Sequence, residues 1–266
     1  MEVFHLVNSI GHLGGNFPST KMLCSHGVSR LSLKKEIEIS SFEEYHSLVT
    51  GAVGVRAIFR GVQDSSSHKL IPSIGRLSLK ERGTSGFPSY EARILSLFKE
   101  QAVAYLDRPP ISNIEWLALA QHHGLPTRLL DWTYNPLVAL FFAVEKQHSG
   151  SSAVYIYRKT KIYNKAEIIV GSQNVDPFKL KKTIVFRPSH FTDRIRTQQG
   201  LFTVHADPKI EFKHSNRITK VIIPNCIRDS LFATLSQYQI GYASLFPGLD
   251  GISRDIFLRA ATKLIT

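Results

Sequence analysis

Residues 116–144 read WLALAQHHGLPTRLLDWTYNPLVALFFAV, and both ends of that stretch call for burial. Trp116, Leu117 and Leu119 fall on one face of a helix predicted over 112–123, which Ser112 opens in a capping box with Glu115. Gly124 has the type of a helix C-cap. Asn135–Pro136 starts a further helix, with the proline near the first helical position, where its missing N–H costs nothing. Leu137 to Val144 is core. Between these parts lie Gln121, His122, His123, Thr127, Arg128, Asp131, Thr133 and Asn135, a polar cluster within fifteen residues. Polar groups flanked by core on both sides form either a hydrogen-bonded turn or the wall of a site. Two adjacent histidines beside Trp132 exceed the needs of a turn.

Outward from this stretch the pattern is regular. EIEIS alternates like a strand from Ile37, and Ser41 caps a helix whose first turn carries Glu43 and Glu44. VRAIFRGV is a strand ended by Gly61. Apolar residues then recur at helical spacing in three pieces, 90–106, 112–123 and 135–147. From 153 onward come the strands SAVYIYR, AEIIV, KTIVFRP, GLFTVHA and ITKVIIP, and a last helix, RDSLFATLSQYQI. Strands, an inserted helical segment and a run of strands predict one α+β domain over 35–266 with a mainly antiparallel sheet. Residues 1–34, rich in Gly, Ser and His, read as an N-terminal extension. Phe4, Leu6, Val7, Ile10 and Leu13 make it a candidate docking segment or a terminal strand.

The 266 residues are 43% hydrophobic and 20% charged, the balance of a globular protein, with a net charge of +12 that favours polyanionic partners. Cys24 and Cys226 are far apart and lack paired spacing, so a reducing cytoplasm is expected and a disulfide framework is not. MEVFHLVNSIGHLGG makes a poor signal peptide, and the apolar run Leu137–Val144 is too short to span a bilayer. No strand is followed by a glycine-rich phosphate loop, and no GxSxG elbow occurs. His122 and His123 point about 100° apart on a helix, so no metal site is expected.

Two further places carry charge. FRGVQDSSSHKLIPSIGR, 59–76, puts Arg60 at a strand end and Arg76 sixteen residues later. RPSHFTDRIRTQQGLFTVH, 187–205, mixes Arg187, His190, Arg194 and Arg196 with Gln198 and Gln199 ahead of an apolar strand. FPGLDG, 246–251, is a turn by composition, and Asp250 suits an Asx turn.

Three blocks, IFRGVQDSSSHKLIPSIGR, QHHGLPTRLLDWTYNPLVALFFAV and RIRTQQGLFTVH, resemble the FRG domain, whose Phe-Arg-Gly signature is here Phe59–Arg60–Gly61. The similarity spans roughly 36–260. The family is distantly similar to ADP-ribosyltransferases and occurs in bacterial anti-phage and toxin–antitoxin systems, where one member modifies messenger RNA. The resemblance therefore implies a split, ADP-ribosyltransferase-like sheet, NAD as co-substrate, RNA as acceptor and an antitoxin protein as partner. It makes Arg60 the first-strand arginine and LLDWT, 129–133, the second strand. It implies that NAD lies against Arg60, Gly61, Arg76, Thr127, Arg128, Trp132, Thr133 and Asn135, with Trp132 stacking on a ring. Arg60, His122, His123, Asp131 and Gln199 become the candidate catalytic residues. Gln198 or Gln199 stands where an acid is usual, so either Asp131, Asp250 or Glu211 supplies the carboxylate or catalysis rests on positioning and desolvation. A metal-independent ribonuclease using the histidine pair, and a non-catalytic RNA-binding module, are the alternatives.

Overall fold

The computed structural model describes residues 35–50, 57–78, 86–158, 168–170, 175–188, 192–213 and 217–261. The extension 1–34, with Cys24, and His190 lie outside them; Cys226 is exposed and unpaired.

The strands, in chain order, are β1 (Glu36–Glu38), β2 (Ala57–Val62), β3 (Leu129–Thr133), β4 (Ser152–Arg158), β5 (Ile168–Val170), β6 (Ile184–Arg187), β7 (Gly200–Val204) and β8 (Ile218–Ile223). The helices are α1 (Phe42–Thr50), α2 (Gly86–Ala102), α3 (Asn113–His122), α4 (Pro136–Val144), α5 (Asp193–Thr197), α6 (Arg228–Gln237), α7 (Tyr242–Leu245) and α8 (Leu249–Ala261). The caps read from sequence are in place. The Ser41 hydroxyl accepts from the Glu44 N–H at 3.3 Å, Ser112 from Glu115 at 3.3 Å, and Asn135 from Leu137 at 2.9 Å. Gly124 follows α3 at φ +90°, in the left-handed region where glycine is least strained.

The strands form one sheet in the order β1-β8-β4-β2-β3-β7-β6-β5. It is mixed, which corrects the expected mainly antiparallel sheet: β1 runs parallel to β8 at one edge and β5 parallel to β6 at the other, around an antiparallel interior. Both β1 and β5 are three-residue edge strands. So short a strand carries an alternation but no signal of direction.

The centre of the sheet positions the site. β2 pairs with β4 along its whole length, from Ala57↔Arg158 to Val62↔Ala153, but with β3 only at Phe59↔Thr133. The sheet is therefore two halves joined at one point. On the helical side each half has its own core. Phe59, Val154, Ile156 and Val221 pack under α4 and α6, while Leu129, Phe186, Phe202 and Val204 pack under α3 and α2. Gly61 is what lets α4 lie on β2: a Cβ there would stand 1.9 Å from the Ala139 carbonyl oxygen and 2.7 Å from the Ala143 nitrogen. Gly61→Ala should cost about 3 kcal/mol by forcing α4 off the sheet, read as a lower urea midpoint. An unchanged midpoint would refute that packing role.

The opposite face carries a third core of Ile58, Leu130, Trp132, Tyr157, Leu201 and Phe212. Within it the Trp132 indole N–H donates to Thr203 Oγ1 at 3.0 Å, and that hydroxyl lies 3.1 Å from His205 Nε2. Burial, with the cations Arg60 and Arg128 adding to it, lowers the His205 pKa to about 4. Unfolded, the imidazole titrates near 6.5. The unfolded chain thus binds the extra proton between those values, and stability falls as the pH drops from about 6.5 to about 4. At about 1.4 kcal/mol per pKa unit the loss is about 3 kcal/mol. Unfolding free energies measured across this range should fall for the wild type and stay flatter for His205→Gln. Parallel curves would show that another group carries the effect.

Candidate functional site

Where the two halves part, a cleft of about 460 Å³ opens between α3 and α4. Ala118, Gln121 and His122 form its α3 wall, Ala139, Phe142 and Glu145 its α4 wall, and Arg194 and Gln198 close it from α5 and the turn after it. Because the sheet is split there, residues of both its faces reach the cleft: Arg60 and Val62 beside Phe59 and Gly61, with His68, Lys69 and Arg76 on the loop beyond β2.

Arg60 sits in the fork. Beyond Phe59↔Thr133 the two strands have no further pairing, and the guanidinium takes the place of a ladder bond. Its Nη1 donates to the Asp131 carbonyl at 2.8 Å and lies 3.4 Å from Asp131 Oδ2. Its side chain is 20% exposed, against 62% for Asp131. The Nε is buried with no hydrogen-bond partner among the described residues. Burial lowers the Arg60 pKa, and Arg76 adds to that, while Asp131 offsets part of it. A guanidinium remains charged at any ordinary pH, so Arg60 is a cation fixed in the cleft lining.

Asp131 is set from both sides. Its Oδ1 accepts from Gln121 Nε2 at 2.7 Å; Gln121 Oε1 in turn accepts from the Thr127 hydroxyl, which itself accepts from the Leu129 N–H at 3.0 Å. Thr127 is thus enclosed and acts through Gln121 on the orientation of Asp131. His122 faces the cleft. Burial, followed by the cation Arg194 and by His123, lowers its pKa, so its ring is neutral at pH 7. Arg194 lies over the Phe246 ring at 4.6 Å, and it feels the charges of both Asp131 and Glu145. Arg76 is exposed and donates from Nη1 to the Ile71 carbonyl at 2.6 Å.

Other predicted residues have structural tasks. Arg128 is fully buried: its N–H and Nε donate to the two Glu91 oxygens, each at 2.7 Å, and Nη1 donates to the Pro177 carbonyl at 2.9 Å. It holds α2 against β3 and has no face toward the cleft. The Trp132 indole, 3% exposed and packed on Tyr157 and Phe212, borders the cleft without a free ring face for stacking. Thr133 lines the cleft, but its hydroxyl donates to the Gln198 carbonyl at 2.7 Å and accepts from the Asn135 N–H. Asn135 is the cap of α4. His123 is exposed at the C-cap of α3, edge-on to His122 at 4.9 Å and outside the cleft.

The glutamines divide. Gln199 is exposed at φ 47°, in the corner that turns into β7, and outside the cleft. Gln198 lines it and donates to the Leu245 carbonyl at 3.1 Å. Asp250 is exposed in the first turn of α8, and Glu211 pairs with Lys213 at 3.1 Å; neither reaches the cleft. The carboxylate that sequence reasoning passed over is Glu145. It follows an unbroken apolar run and reads as the polar end of a core helix. Only its position one residue past Val144, at the α4 C-cap, would have pointed to it.

Among the described residues no group of His, Cys, Asp and Glu is placed to hold a metal ion, and no helix is long and apolar enough to cross a membrane. Neither a curated protein nor a solved structure matches the chain. A family model does: the FRG domain matches residues 55–152, which hold β2, the fork with β3, both walls of the cleft and Glu145. Residues 55–152 thus match the FRG domain, and Phe59–Arg60–Gly61 within them is the fork residue between a core phenylalanine and the glycine under α4.

Proposed function

We propose that this FRG domain is an NAD-dependent mono-ADP-ribosyltransferase, a toxin of a defence system that is held in check by an antitoxin protein and acts on RNA. The observation that carries the reading is the arginine in the fork of a split sheet, inside a cleft whose other cations are Lys69, Arg76 and Arg194. A diphosphate needs forked donors and positive charge at close range. Arg60 lines the cleft as a fixed guanidinium of this kind. The cleft volume, about 460 Å³, lies in the range of about 300–1,000 Å³ typical of small-molecule sites.

NAD supplies the ribose that is transferred and nicotinamide as the leaving group; the chain's part is to bind, orient and balance charge. Arg60 and Arg76 hold the diphosphate. Asp131, fixed by Gln121 and Arg60, presents a carboxylate oxygen toward the ribose. Phe142 supplies an apolar surface in the cleft, in the role that the buried Trp132 cannot take. The net charge of +12 favours a polyanionic acceptor. Of the His122–His123 pair on which the ribonuclease alternative rests, only His122 lines the cleft.

The test is to incubate the purified chain with NAD labelled in its adenylate part, together with RNA, DNA or protein. Label joined to RNA is expected. RNA cut without NAD would favour a ribonuclease, and RNA retained with neither cutting nor labelling would favour a binding module.

A further inference from the structure

The glutamines before β7 bring no negative charge to the cleft, and its lining contains two carboxylates, Asp131 and Glu145. They differ in what surrounds them. Asp131 is ion-paired with the Arg60 guanidinium at 3.4 Å, and its side chain is 62% exposed. Glu145 is half-buried at the C-cap of α4, and both its described partners are neutral: Gln63 Nε2 donates to Oε1 at 3.2 Å, and the Tyr242 hydroxyl donates to Oε2. Tyr242 is itself buried, packed on Phe246 and Phe141, and covered by the Arg254 guanidinium at 4.1 Å. The carboxylate is thus oriented by two neutral donors, from Gln63 just after β2 and from Tyr242 on α7, and the cation whose charge it shares is Arg194 on α5. Two neutral donors cost little of its charge; they fix its rotamer.

Resting on the transferase reading, we propose that Glu145 is the catalytic carboxylate of this cleft. It faces the ribose, stabilises the positive charge that develops there, and receives the proton of the acceptor. The C–N bond between ribose C1′ and nicotinamide breaks, and its electron pair leaves on the nicotinamide nitrogen. A lone pair of an acceptor hydroxyl or amine forms the new bond to C1′. The acceptor proton, acidic once that bond has formed, passes to Glu145 and from it to water. His122 is less suited to this task. The neighbouring Arg194 disfavours its imidazolium, and its neutral ring carries no charge to set against a cationic ribose. Gln63 and Tyr242 are then positioning residues that act through Glu145.

The experiment compares wild type, Glu145→Gln, Glu145→Ala, Tyr242→Phe and Arg60→Ala under saturating RNA, with NAD varied and folding followed by thermal melting. Glu145→Gln keeps an oxygen that can accept from Tyr242, so it should melt with the wild type. Its kcat should fall about 10²–10⁴-fold at a nearly unchanged KM for NAD. Glu145→Ala should regain rate when formate supplies a small carboxylate, and Arg60→Ala should not. Tyr242→Phe should lower kcat by a smaller factor. Wild-type transfer with an unimpaired Glu145→Gln, or with a Glu145→Ala that formate does not help, overturns the assignment of Glu145 alone. A wild type that transfers no label to any acceptor overturns the transferase reading and this assignment with it.

Discussion

Arg60→Ala is expected to lower kcat/KM for NAD-dependent labelling by about 10²–10³-fold, the loss that follows removal of one charged donor from a water-poor site. The physical reason is its place in the fork. The guanidinium bridges two strands that share the single pairing Phe59↔Thr133, and its Nη1 bonds the Asp131 carbonyl across the gap. Arg60→Lys should recover little, because an ammonium cannot both bond the Asp131 carbonyl and fork onto a diphosphate. The fold should survive both changes. The side chain is not enclosed by either helical core, and the β2–β4 ladder is untouched. Comparing labelling rates with melting temperatures separates the two effects. If Arg60 were only a charge at a strand end, neither measurement would move much.

Arg128→Ala should have the largest effect on stability. Glu91 is 1% exposed, and burial raises its pKa while Arg128 pulls it back down. Without the guanidinium a carboxylate is left in the core beneath α2, which costs about 3–5 kcal/mol. That is a large share of the roughly 5–15 kcal/mol of a whole domain. Arg128→Met alone should be as damaging. Arg128→Met combined with Glu91→Leu should restore much of the loss, since an apolar pair of similar volume carries no desolvation cost. Unfolding free energies for the two single changes and the double change form the test; simple additivity of the two losses would contradict it.

Much of the fold was legible because the helix starts carry unambiguous chemistry. Ser41, Ser112 and Asn135 each cap the helix that their spacing announces, and Gly124 ends α3. What was not legible depends on neighbours distant in sequence. The directions of β1 and β5 are set by β8 and β6, and three residues cannot encode them. α8 follows a composition that reads as a turn, because Gly248 and Gly251 break the local pattern. Yet Gly251 is required in the helix, where a Cβ would stand 1.9 Å from the Phe246 carbonyl.

The site was legible as a segment and not residue by residue. Arg60, Gln121, His122 and Asp131 do meet in one cleft. Arg128 and Trp132 look like ligand-binding residues by type, but their burial is decided by Glu91 on α2 and by Thr203 on β7. Gly61 is explained by the approach of α4, a contact that no local pattern states. Glu145 was hidden for the converse reason: a single acid after nine apolar helix residues looks like a solvated end until Gln63 and Tyr242 are seen to hold it.

The most direct test of the account is a structure of the chain bound to a non-hydrolysable NAD analogue. The diphosphate should lie within hydrogen-bond distance of the Arg60 guanidinium, between the α3 and α4 walls, with the ribose toward Asp131 and Glu145. An analogue bound elsewhere on the domain, or a saturated solution that leaves the fork unchanged, would contradict it.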